Sequence, residues 1–214
     1  MSPKHVFWQA LISAILIFGL GILIGFSIEK ERTNEINDIL INSEINFIDS
    51  QMLGFVNEDF NVNCDIGIKN LFEFADRIYW EAQKLEKYDE SAQLSDTLKI
   101  LHKRYDLLRV MLWNQAIKLK GRCKSDFHII VYLYQYNKPE SDVSGKQIAF
   151  ARYLENLKDK YGDKVLLIPI AGDLELSSLN VLKGKYEITK YPAVIFDENK
   201  VIYEINDLAN LDIE

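Results

Sequence analysis

The 214-residue chain has only two cysteines, Cys64 and Cys123, and no C-x-x-C. A zinc site built from four cysteines is therefore excluded, and so is disulfide exchange through a vicinal thiol pair. Histidine is scarce too: His5, His102 and His128 are too far apart for metal-ligand spacing, so neither a metal nor a cofactor is expected. Basic residues are outnumbered, 25 Lys and Arg against 32 Asp and Glu, for a net charge of −7. Residues 1–28 hold Lys4 and no acid, leaving 24 basic and 32 acidic residues, or −8, in the rest. Such a field repels phosphate backbones and argues against a nucleic acid partner. There is no internal repeat and no low-complexity tract.

What is present begins with a long apolar run, Val6–Ile28. As a helix it reaches roughly 33 Å, enough to cross a hydrocarbon core. Residues 1–28 are read as a transmembrane anchor that meets membrane lipid through residues 6–28, with Trp8 at the interface. Gly25-Phe26-Ser27 also offers the small residues of a signal cleavage site, but the run exceeds the roughly 7–15 apolar residues of a signal peptide. Lys4 precedes the run, and Lys30 and Arg32 follow it among acids, so flanking charge does not fix the orientation. Gly21-x-x-x-Gly25 is a spacing that lets two helices approach closely as a homodimer, although glycine is common in membrane helices in general.

Residues 29–123 read as a helical stalk and an antiparallel helical hairpin. Glu29–Leu53 carries an apolar stripe through Ile36, Ile39, Leu40, Phe47 and Ile48, and Gly54–Gly67 reads as a loop. A helix capped by Asp65 follows, with Ile68, Leu71, Phe72, Ala75, Ile78, Tyr79, Ala82 and Leu85 on one face. After a turn at Tyr88–Ser91, a second helix repeats apolar residues in steps of four and three from Leu94 to Leu119, and Gly121 would end it. Cys64 and Cys123 then lie at the adjoining ends of the hairpin, which suits a disulfide. Such a bridge belongs in an oxidising compartment, so the expected localisation is a single-pass membrane protein with an extracytoplasmic C-terminal domain.

Residues 124–214 read as strand, helix, strand, connecting helix, strand, strand. The strands are Phe127–Tyr134, Val165–Ile170, Val194–Phe196 and Val201–Ile205, the first helix is Gly145–Tyr161, and Asn199-Lys200 forms the last turn. A β-α-β unit followed by a hairpin gives a mixed sheet, an α/β thioredoxin-like order. The segments Tyr132-Leu133-Tyr134-Gln135-Tyr136-Asn137 and Tyr186-Glu187-Ile188-Thr189-Lys190-Tyr191-Pro192 resemble those of archaeal membrane-anchored thioredoxin-like proteins. The resemblance covers about the last half of the chain well. It implies an active-site loop at Ser141-Asp142-Val143-Ser144, where Ser141 and Ser144 replace the family's two cysteines. It also implies a cis bond at Tyr191–Pro192 and a peptide groove lined by Tyr191, Pro192 and Tyr136.

A serine hydroxyl has no accessible anion near neutral pH and forms no disulfide, so disulfide exchange is not carried over. Ser144 reads as a helix N-cap, and no triad signature surrounds it. Asp163, Asp173 and Glu175 read as solvated loop charges. The expected function is a redox-inactive module that binds an unknown protein or peptide, in the manner of a chaperone. The alternatives are a thiol–disulfide partner acting through Cys64 and Cys123, and a structural subunit of a membrane complex.

Overall fold

The computed structural model describes residues 3–59, 63–89, 95–211 and 213. The chain forms two compact units, residues 1–46 and residues 47–214. Helix α1 (Pro3–Asp59) supplies the first unit and opens the second. In the first unit Phe7–Glu31 is one helix long and apolar enough to span a membrane. Its large side chains stay uncovered, from Leu11 at 39% exposed to Phe26 at 73%. Ser27 returns its hydroxyl to the Leu23 carbonyl at 2.9 Å, so the one hydroxyl late in the run is satisfied within the helix.

The second unit contains α2 (Cys64–Asp89) and α3 (Ser95–Cys123). It continues with β1 (His128–Tyr134), α4 (Ser141–Tyr161), β2 (Val165–Ala171), α5 (Ser177–Lys185), β3 (Ala193–Phe196), β4 (Lys200–Ile202) and α6 (Ile205–Ala209). The sheet is mixed, in the order β2-β1-β3-β4. β1 and β2 are parallel, His128 opposite Val165 through Tyr134 opposite Ala171. β3 runs antiparallel to β1, Leu133 opposite Ala193 and Ile130 opposite Phe196, and β4 is antiparallel to β3.

Strand β1 is buried on both faces, which is why its sequence is apolar nearly throughout. Ile130 and Tyr132 pack with Phe150, Leu154 and Leu157 of α4, with Val194 and Ile202, and with Leu208 of α6. By the two-residue period Ile129, Val131 and Leu133 face the other way, and α3 packs against β2 and β1. The hairpin and the sheet thus share one compact unit. Helix α3 lies antiparallel to β1: Lys120 reaches Asp197 beside the start of β1, and the His102 ring packs at a tilt against Tyr136 beyond its end.

Several elements differ from the sequence reading. Of Gly54–Gly67, expected as a loop, residues 54–59 stay helical in α1 and residues 64–67 open α2; Gly54 lies against α3, where a Cβ would sit 3.4 Å from Gln115 Nε2. Asn63, not Asp65, caps α2, its Oδ1 accepting from the Asp65 N–H at 2.9 Å. Gly121 remains helical and α3 ends at Cys123. The last turn is Asp197-Glu198, with φ of 46° and 61°, closed by the Asn199 N–H on the Phe196 carbonyl at 3.1 Å. The chain after β4 turns into α6, a helix too short to show a helical period. The turn expected at Tyr88–Ser91 lies partly outside the described residues, and so do the side chains of Ile36, Ile39, Leu40, Leu85, Leu94 and Leu98.

Candidate functional site

The sequence-derived positions meet at one end of the sheet, where β1 and β2 finish and β3 begins. This upper end carries the start of α4, the loop 135–140, the turn 172–176 and the Tyr191–Pro192 peptide, which is cis. Ser141 to Ser144 do not form a loop. They are the first turn of α4, whose N-cap is Glu140 without a side-chain bond, and the Ser144 N–H donates to the Glu140 carbonyl at 2.8 Å. Ser144 therefore does not cap the helix; it lies inside it. Ser141 is exposed and Ser144 half-buried.

Loop 135–137 is pinned by side chains from elsewhere. Gln147 of α4 accepts from the Gln135 N–H at 2.7 Å and donates to the Gln135 carbonyl at 3.2 Å. Asp173 accepts from the Tyr136 N–H at 2.8 Å, the Asn137 N–H at 2.7 Å and Asn137 Nδ2 at 3.0 Å. The Gly172 N–H donates to the Tyr134 carbonyl at 2.7 Å. Asp173 is thus an organiser of the loop, and its reading as a solvated charge is corrected.

Tyr191 is anchored on the same turn. Its hydroxyl donates to the Gly172 carbonyl at 2.6 Å, and Lys183 Nζ donates to that carbonyl at 2.7 Å. Its ring lies so close over Gly172 that a Cβ there would come within 2.3 Å of it. Burial, then the nearby Asp173 charge, push the phenol up to about 12. Pro192 is buried and Tyr136 half-buried.

Beneath this end lies a charge pair that the sequence reading missed. Asp106 of α3 is fully buried, and Arg109 Nη1 donates to its Oδ1 at 3.1 Å. Oδ2 has no hydrogen-bond partner among the described residues. Burial outweighs the attraction of Arg109 and the backbone bond from Ala171, and Asp173 adds repulsion, so the carboxyl rises from 3.8 to about 6. Burial works against the Arg109 charge as well, but Asp106 and Tyr134 more than offset it and hold the proton tighter.

The lower end carries no predicted site residue except the disulfide. Cys64 and Cys123 are bridged, with Cα atoms 5.7 Å apart, joining the start of α2 to the end of α3. Asp197 ties α3 to the sheet nearby. It accepts from Lys120 Nζ at 2.6 Å and the Ile129 N–H at 2.8 Å, and pairs with His128 Nδ1 at 2.6 Å. Burial raises its carboxyl, but those three partners more than reverse the effect and leave it below the ordinary 3.8.

Chemically, the upper end offers hydroxyls, amides and aromatic rings but no thiol. His128 is committed to Asp197 at the opposite end and His102 lies against Tyr136, so among the described residues neither is hydrogen-bonded to Ser141 or Ser144. No three His, Cys, Asp or Glu side chains group as metal ligands among the described residues. No protein-family model matches the chain, and no curated protein or solved structure proves similar to it.

Proposed function

We propose that this is a membrane-anchored, redox-inactive member of the thioredoxin-like class that binds extended segments of other proteins at the upper end of its sheet. The observation that carries the reading is the convergence of the first turn of α4, loop 135–137 and the Tyr191–Pro192 segment at one sheet end. That happens in a mixed sheet of order β2-β1-β3-β4 whose only cysteines are bridged elsewhere. Loops at the carboxyl ends of parallel strands are where such sheets place their ligands. Tyr136 and Tyr191 supply amphipathic contact area there.

The anchor rests on the uncovered apolar face of Phe7–Glu31, which water would leave unsatisfied and lipid would bury. The C-terminal unit is assigned to the extracytoplasmic side because Cys64–Cys123 belongs in an oxidising compartment. The Gly21 and Gly25 faces are open and suit pairing of two anchors.

The test is binding of a permanently unfolded, alkylated polypeptide to the full chain in detergent micelles. Val143→Asp places a charge in the first turn of α4 and should weaken binding at least tenfold, whereas Glu73→Ala on exposed α2 should leave it unchanged. Equal affinity for both variants and the wild type contradicts the site, and turnover of insulin disulfides by the wild type contradicts redox inactivity.

A further inference from the structure

Past its membrane-length run, α1 carries a further apolar set that the binding reading does not use. Ile41, Ile45, Ile48, Met52 and Val56 follow one another in steps of four, three, four and four. At 3.6 residues per turn they form one row about 80° wide. The first four are 54–58% exposed and Val56 is 36% exposed. The opposite side of the helix is already covered: Phe47 and Gly54 are half-buried, and Gly54 lies against Gln115 of α3. Exposed polar residues edge the row, Glu44 and Gln51 on one side and Asn42 and Asp49 on the other.

An apolar row in such steps, bordered by polar side chains, has the pattern of a coiled-coil seam. Water gives three isoleucines and a methionine no compensation for their exposure, so burial against a partner is favourable. Lipid does not provide it. Ile41 and Ile45 lie ten and fourteen residues past Glu31, roughly 15 and 21 Å of helix beyond the membrane-length run. A second copy of this chain does. Two copies anchored in one bilayer by the same segment hold their α1 helices parallel and at the same height. In that arrangement a row in heptad steps meets itself residue for residue. The shared membrane also raises the effective concentration, so a seam of little more than two heptads suffices. The pairing brings Asp49 toward Glu44 of the second copy. Arg77 Nη2 of α2 lies 3.9 Å from Asp49 and offsets that like charge.

We propose that the row Ile41–Val56 of α1 is the surface through which two anchored copies of this chain associate in parallel. It is a different surface from Gly21-x-x-x-Gly25. Counted along α1, those glycines lie about 160° round the helix from Ile41 and Ile45. Pairing through the glycines and pairing through the row are therefore alternatives. The proposal rests on the anchor reading of Phe7–Glu31 and is independent of the peptide site at the upper end of the sheet.

Cross-linking of the purified full chain in dilute phosphatidylcholine vesicles tests it. Cys64 and Cys123 are bridged, so one introduced cysteine supplies the free thiol. Under mild oxidation Ile45→Cys and Ile48→Cys should yield a product of twice the chain mass at least tenfold faster than Gly25→Cys or Glu73→Cys on exposed α2. Ile45→Asp combined with Ile48→Asp should abolish energy transfer between differently labelled copies. Its urea midpoint should stay that of the wild type, because both side chains are exposed. Flotation of the wild type with the vesicles reads the anchor separately, and a chain that fails to float removes the anchor reading and this proposal with it. In chains that float, fastest cross-linking at Gly25 gives the pairing to the glycines and overturns the proposal. Absence of any product from positions 45 and 48, with only lipid and other copies present, leaves the row to a different protein and equally overturns it. So does energy transfer that survives the double aspartate variant.

Discussion

Strand β1 is bounded by two buried or half-buried carboxylates that live in opposite circumstances. At the lower end Asp197 meets a lysine, a histidine and a backbone N–H, which hold its carboxyl below 3.8. At the upper end Asp106 meets one arginine and the Ala171 backbone, its Oδ2 has no partner among the described residues, and its carboxyl climbs to about 6. Net charge does not separate them, since both have a cation within 3.1 Å. Burial does: Asp106 is fully enclosed, so burial outweighs its bonds, whereas half-buried Asp197 keeps enough of its solvation for the bonds to win. The lower end, which also carries the disulfide, is built as a clamp. The upper end, where loop, helix start and Tyr191 gather, keeps an unspent proton site.

The largest change should come from opening the clamp. Replacing both Cys64 and Cys123 by serine releases a loop of 59 residues, for which chain entropy gives a loss of about 4 kcal/mol. Urea unfolding followed by Trp113 fluorescence measures it, and the loss should be the same at pH 5 and pH 7.

Asp197→Ala strands Lys120 and the Ile129 N–H and should cost about 2–3 kcal/mol, read in the same titration. The pH profiles should separate the two acids. Because the carboxyl of Asp197 is depressed in the fold, its stabilisation is present above 3.8 and lost as pH falls below that value. Because the carboxyl of Asp106 is raised, its contribution is full below 3.8 and lost as pH rises through about 6, an effect on the order of 3 kcal/mol. Asp106→Asn should flatten the decline between these limits and leave the acid limb. Asp197→Asn should do the reverse. A single variant that flattens both limbs would show that the two ends are not independent.

The smallest effect is expected at Ser144. It lies inside the first turn of α4 with no side-chain cap to lose, so Ser144→Ala should shift stability by less than about 0.5 kcal/mol. A loss above about 1 kcal/mol would restore it as a cap.

Local pattern carried much of this architecture. Near-continuous apolar, β-rich runs placed β1 and β2 within a residue of Phe127–Tyr134 and Val165–Ile170. The spacing of hairpin ends placed the Cys64–Cys123 bridge. What stayed illegible depends on distant partners. Asp197 is paired across 77 positions with Lys120 and 69 with His128. Asp173 serves amides 36 and 37 positions away. Asp106 stands between the apolar positions Tyr105 and Leu108 and reads as a solvent-facing residue. The stripe reports only one packed face, whereas α3 is covered by α2 on one side and by β1 and β2 on another. Gly54 misled in the same way: it serves close packing on Gln115 and not a chain reversal.

The central claim is that the upper end of the sheet, and not the lower, meets other proteins. A photo-crosslinking residue at Val143 in the first turn of α4, compared with one at exposed Lys164 just before β2, tests it most directly. The full chain in membranes is offered an alkylated, unfolded polypeptide. The account predicts adducts from position 143 that excess unlabelled polypeptide suppresses, and none from position 164. Equal labelling from both positions, or labelling from 164 alone, would contradict it.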